Sequence, residues 1–116
     1  MLARAHRLTD AAGFSSAVRR GRRAGSRTLV VHLESLGGNS DRWRVGFVVS
    51  KAVGPAVTRN RVKRRLRHLA RELLTSSEAR LPGSAVLVVR ALPAAADAGY
   101  EELRNDLARC LERVNS

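Results

Sequence analysis

Residues 51–74 read KAVGPAVTRNRVKRRLRHLARELL, and this stretch decides the architecture around it. Between Arg59 and Arg71 it carries seven basic side chains (Arg59, Arg61, Lys63, Arg64, Arg65, Arg67 and Arg71) and no acidic one. The run is patterned as well as charged. Val62, Leu66, Leu69 and Leu73 recur at i, i+4, i+7 and i+11, the spacing of one apolar stripe on a helix. At ~100° per residue, Asn60, Arg61, Lys63, Arg64, Arg67, His68 and Arg71 fall on the opposite side. The spacing predicts a helix over about 57–74 that docks on a core and turns a cationic face outward. A merely solvated helix face ordinarily mixes signs and carries i, i+4 acid–base pairs. Here no acidic residue lies between Asp41 and Glu72, so the face suits a polyanion such as RNA or DNA.

Outward from that helix the chain alternates short elements. Thr9 or Asp10 can cap a helix over roughly 10–20, with Phe14 and Val18 one turn apart and Gly21 at its stop. Arg19, Arg20, Arg22 and Arg23 follow where cations complement a helix C-terminus. Thr28 to Leu33 and Arg44 to Ser50 read as strands around the turn signal Gly37 to Asp41, which predicts that the two pair as an antiparallel hairpin. In the first of them Leu29, Val31 and Leu33 alternate with Val30 and His32. Gly54-Pro55 breaks the chain before the basic helix, and Leu81 to Ser84 is a second turn. Ala85 to Val89 (AVLVV) is apolar at every position, the mark of a strand covered on both faces. After a loop at 93–99, Tyr100 to Val114 carries the stripe Leu103, Leu107, Cys110, Leu111 and Val114. The order α-β-β-α-β-α predicts a single domain over 1–116, a small α/β (α+β) two-layer sandwich.

Composition narrows the function classes. Residues 1–71 hold 17 Arg/Lys against 3 Asp/Glu, and residues 72–116 hold 5 against 7, so the net +12 is concentrated in the first two-thirds. Twenty of the 22 cations are arginine, whose planar fork suits bidentate phosphate contact and base stacking. No apolar run approaches ~18 residues and no secretory h-region opens the chain, so no membrane association is expected. One cysteine, Cys110, cannot form an internal disulfide and reads as core; a reduced, cytoplasmic setting is the expectation. His6, His32 and His68 are scattered, with no paired carboxylate in the local sequence. A two-metal nuclease needs several converging carboxylates, and residues 42–71 contain none. The sequence therefore offers no catalytic residue, no metal site and no small-molecule site.

The segment RVGFVVSKAVGPAVTRNRVKRRLRHLAREL closely resembles the signature of the bacterial ribonuclease P protein subunit. The matching residues are Val45, Gly46, Val49, Ser50, Lys51, Val53, Gly54, Ala56, Val57, Arg59, Asn60, Arg61, Lys63, Arg64 and Arg67. The first-helix segment matches too, through Arg7, Leu8, Phe14, Val18 and Gly21. Two positions depart from the family pattern: Ala52 stands where a second lysine is frequent, and Pro55 where asparagine is. Both lie at the turn into the basic helix, and Pro55 stiffens that turn.

The resemblance implies a four-stranded mixed sheet in the order α-β-β-(β)-α-β-α, with a left-handed β-α-β crossover and one short strand more than the pattern reveals. It implies catalysis by an RNA subunit that also brings the magnesium, with precursor tRNA as substrate. The RNA-docking residues would be Lys51, Arg59, Asn60, Arg61, Lys63, Arg64, Arg67, His68 and Arg71; Asn60 serves equally well as a cap or a turn residue. A cleft between a sheet face and the first helix would hold the 5′ leader of precursor tRNA, with Phe14, Val18, His32 and Phe47 as candidates. The competing readings are that Phe14 and Phe47 are core and that His32 is a solvated strand histidine. Arg19, Arg20, Arg22 and Arg23 would add basic contacts. Three other functions stand against this one: a structural RNA-binding protein, a DNA-binding module and a stand-alone nuclease.

Overall fold

The computed structural model describes residues 7–37, 43–75 and 84–115. The turn segments read at Gly37 to Asp41 and at Leu81 to Ser84 lie almost wholly outside them, as does His6. Helix α1 spans Ala11–Arg20, with Asp10 as its cap: the carboxylate accepts from the Gly13 amide at 2.9 Å. Strands β1 (Arg22–Gly25), β2 (Leu29–Gly37) and β3 (Trp43–Val48) follow. A single 3-10 turn, Lys51–Val53, then leads into α2 (Ala56–Thr75). Strand β4 (Ser84–Ala91), a 3-10 turn at Pro93–Ala96 and α3 (Tyr100–Asn115) complete the order. Among the described residues the elements form a mixed α+β sandwich of three helices on one four-stranded sheet.

The sheet runs β1-β2-β4-β3. The predicted hairpin is therefore corrected: β2 and β3 are not neighbours, because β4 lies between them. It pairs antiparallel with β2 (Val31↔Val89, Leu33↔Leu87) and parallel with β3 (Val45↔Leu87, Phe47↔Val89). The physical reason is β4's composition. Ala85 through Val89 are all at most 7% exposed, and only the centre of the sheet buries a strand on both faces. The pairing that β2 lacks on its other side is made by β1, the short strand absent from the periodicity (Arg23↔His32).

One face of the sheet carries the main core. Leu29, Val31, Leu33, Val45, Leu87 and Val89 pack there against the stripes of α2 and α3. Val62, Leu66 and Leu69 are fully buried and Leu73 is 1% exposed; the α3 stripe, Cys110 included, is equally covered. Burial pushes the Cys110 thiol above its usual range, consistent with a small core residue, against a lesser opposing effect of the Ser26 hydroxyl. Asp106, also buried, accepts from the Thr28 hydroxyl at 2.5 Å and from Arg109 at 3.2 Å, which ties α3 to the start of β2. The other face carries α1, through Leu8, Phe14 and Ala17 packed on Val48, Val86 and Val88. Residues 7–8 lie along the outer edge of β3, where the Leu8 amide donates to the Val45 carbonyl at 2.9 Å.

Gly54 sets the angle at which α2 leaves the sheet. Its φ of 151° and ψ of −169° lie in a region open essentially to glycine alone, and a Cβ there would stand 3.3 Å from Thr58. The Val-Gly turn is thus a geometric requirement for aiming the basic helix.

Candidate nucleic-acid interface

Helix α2 is split lengthwise by chemistry. Its inner side is the buried stripe, with Ala70 and Leu74 added. Asn60, Arg61, Arg64, Arg67, His68 and Arg71 are exposed on the outer side, with Lys63 and Arg65 half-buried at its margins. Among the described residues no carboxylate pairs with Lys63, Arg64, Arg67 or Arg71. The ion pairs among the described residues lie off the ridge: Glu72 with Arg104 at 3.4 Å, Glu102 with Arg27 at 2.7 Å and Asp106 with Arg109 at 3.2 Å. Burying the apolar stripe thus forces the cations into one unneutralised ridge. Asn60 is the fifth residue of α2, past any capping position. Lys51 is exposed on the turn before the helix. Arg59 is half-buried, and its Nε has no hydrogen-bond partner among the described residues.

A groove flanks the ridge on each side. The first, about 320 Å³, follows the outer edge of β3 and is lined by Arg7, Phe14, Gly46, Phe47, Lys63 and Arg67, among others. It brings the aromatic candidates and two ridge cations to one place. Phe14 and Phe47 reach it from opposite faces of the sheet: Phe14 packs with the α1 cluster and Phe47 with the main core. The expectation that both line a single sheet face is corrected by the strand's own alternation, in which Phe47 shares a side with Val45. Gly46 lets the Phe14 ring lie on the strand, since a Cβ there would meet Phe14 Cζ at 2.2 Å. Val18 is 42% exposed on α1 and does not line this groove.

His32 also stands apart from it. It is 5% exposed, and neither ring nitrogen has a partner among the described residues. The reading of a solvated strand histidine is therefore corrected: His32 alternates with Val31 and Leu33 onto the sheet face that carries α1, in register with Val88. Burial, then the charges of Arg23 and Arg90, hold the imidazole below its ordinary range. The unfolded chain takes up this proton first as pH falls, so stability present above about pH 6.5 is lost below it. The melting temperature is expected to drop between about pH 7 and pH 5, and His32→Leu to flatten that drop. An identical pH profile in the variant would show that His32 does not drive it.

The second groove, about 470 Å³, lies between α2 and the start of α3 and is lined by Arg61, Arg64, Arg65, Arg67, His68 and Tyr100. Arg61 donates to the Ala96 carbonyl at 3.1 Å and Arg65 to the Ala98 carbonyl at 3.5 Å, so two guanidinium groups are held along its wall. The His68 and Tyr100 ring centroids are 6.3 Å apart, tilted by 54°. Desolvation, with Glu72 beside it, holds the Tyr100 phenol above its usual range and therefore neutral. Sequence reasoning passed over Tyr100, which lies 32 positions beyond His68; only the return of the chain through β4 brings them together. Arg19, Arg20, Arg22 and Arg23 belong to the end of α1 and to β1, at the sheet edge farthest from β3. Arg22 reaches the Val114 carbonyl at 3.4 Å.

Among the described residues no group of three or more His, Cys, Asp or Glu could hold a metal ion. No helix among them is long and apolar enough to cross a membrane. Fold and site together define a class: a small mixed α+β domain whose surface is organised around one cationic helix rather than around a pocket of acids and bases. Comparison with known proteins makes the class specific. The ribonuclease P family model matches residues 2–115. The ribonuclease P protein component of a Nocardioides strain is 65% identical, covering 100% of this chain and 97% of that one. That of Streptomyces avermitilis is 50% identical, over 98% and 95%. The Staphylococcus aureus RNase P protein superposes with a TM-score of 0.77 at 26% identity, with 95% of each chain covered. The Thermotoga maritima RNase P protein is alike in fold, with a TM-score of 0.77 at 23% identity over 95% of this chain and 98% of that one. The chain belongs to the ribonuclease P protein family, the protein subunits of a tRNA-processing ribonuclease.

Proposed function

We propose that this chain docks on the catalytic RNA of ribonuclease P through the α2 ridge and helps that RNA hold the 5′ leader of precursor tRNA. The observation that carries the reading is the unneutralised row of Lys63, Arg64, Arg67 and Arg71 on a helix whose other side is fully committed to the core. Neutralising several phosphates along one strand releases counterions, which lowers the magnesium needed to fold the RNA and bind substrate. Metal ions in the particle come with the RNA, since the exposed cations Arg64, Arg67 and Arg71 repel them. The setting is the bacterial cytoplasm, where tRNA precursors are made.

The edge groove supports the second half of the reading. An aromatic edge from Phe14, with Lys63 and Arg67 beside it, matches what an unpaired strand requires: a surface for a base and charge for its phosphates. The test is the affinity of the reconstituted holoenzyme for precursor against mature tRNA. Phe14→Leu keeps the apolar bulk of the α1 cluster and removes the ring. Loss of a base stack, about 1–3 kcal/mol, is expected to reduce that discrimination about 5- to 150-fold. Wild-type discrimination in the folded variant would remove Phe14 from the leader site.

A further inference from the structure

The groove between α2 and α3 has a composition that phosphate docking alone does not require. Plain phosphate contact asks for exposed cations on a convex surface, and Arg64, Arg67 and Arg71 already supply them. Here a concave site of about 470 Å³ adds two rings, His68 and Tyr100, and two guanidinium groups fixed by the Ala96 and Ala98 carbonyls. Fixed guanidinium planes, a half-buried phenol and an exposed imidazole give flat surfaces on which a base can lie. Glu72, beside Tyr100, is occupied by Arg104 at 3.4 Å and lies 3.5 Å from the Tyr100 hydroxyl. Charge and shape together exclude an acidic peptide as the best match, because such a chain makes no use of the rings.

We propose that this groove is a nucleotide pocket, which receives one unpaired nucleotide of the catalytic RNA with its base against Tyr100 and His68 and its phosphate on Arg64 and Arg67. The inference rests on the docking of α2 on that RNA, and it adds α3 to the interface through a residue outside the basic motif. It also gives the interface a contact that depends on RNA structure and not only on charge. A paired nucleotide cannot enter, so the pocket selects a bulge or a loop at one place in the fold.

The holoenzyme itself provides the test. Ultraviolet crosslinking of the wild-type complex, mapped by mass spectrometry, is expected to join Tyr100 or His68 to a single nucleotide of the catalytic RNA. Tyr100→Leu keeps the apolar contact with the core and is expected to weaken RNA binding about tenfold at an unchanged salt slope, since a base stack releases no counterion. Tyr100→Phe is expected to recover the lost affinity. Crosslinks confined to other residues, or a crosslink from this groove to precursor tRNA, would overturn the proposal. So would wild-type affinity in a folded Tyr100→Leu protein. The α2 reading is judged separately by Arg64→Ala with Arg67→Ala: a flattened slope there beside wild-type affinity in Tyr100→Leu sinks the pocket alone, and an unchanged slope in the arginine variant sinks the docking itself.

Discussion

Replacing Arg64 and Arg67 together by alanine is expected to weaken binding to the catalytic RNA about 25- to 60-fold at 0.1 M salt and to flatten the salt dependence by about 1.4–1.8 in slope. The size follows from counterion release: each neutralised phosphate contributes about 0.7–0.9 to the slope, which at 0.1 M is about five- to eightfold in affinity. These two are chosen because they are exposed cations on the ridge and no carboxylate faces them among the described residues. Arg61 and Arg65 are partly committed to backbone carbonyls of the turn before α3, so their loss would mix binding with packing. Alanine at exposed helical positions also leaves helix propensity intact. Titration of binding against salt reads the effect directly. A parallel line, displaced but with the wild-type slope, would mean that neither arginine meets a phosphate.

Leu66→Ala is expected to have the opposite profile. Leu66 is fully buried where α2 meets the sheet, and truncating such a leucine removes its transfer energy and leaves a cavity, together about 3 kcal/mol. For a domain of this size that lowers the melting temperature by about 10–15 °C. Measured at a temperature where the variant is still folded, its salt slope should match the wild type, because the ridge is unchanged. A thermal melt paired with the salt titration separates the two roles of one helix. A near-native melting point would show that the stripe contributes less than its burial implies.

The parts of the fold that were legible in the sequence are those where one residue pattern admits one structure. Val62, Leu66, Leu69 and Leu73 could only be a helical stripe, and α2 begins and ends within about a residue of its predicted limits. The α3 stripe and the doubly covered strand at Ala85 to Val89 were equally determinate. Strand β1 was not, because Arg22–Gly25 offers one apolar residue in four and exists through pairing with β2. The strand order differs from the hairpin that adjacency in sequence favours, because it is set by β4, which lies beyond α2 in the chain. The site divided along the same line. The cationic face is a local property of one helix and could be read from spacing. The grooves beside it are made by residues far apart in sequence, Phe14 with Lys63 on one flank and His68 with Tyr100 on the other, so no local pattern announced them. The burial of His32 depends on α1 covering that face of the sheet, which the alternation within β2 does not reveal.

On the proposed function, this chain makes a catalytic RNA effective where magnesium-driven folding alone is insufficient. This role is tested most directly by cleavage of a precursor tRNA by a bacterial ribonuclease P RNA at low magnesium, with and without the protein. Removal of the 5′ leader is expected to be slow or absent with RNA alone and to switch on when the protein is added. Tight RNA binding that leaves cleavage unchanged would contradict it, and would assign the ridge to a purely structural role in RNA packaging.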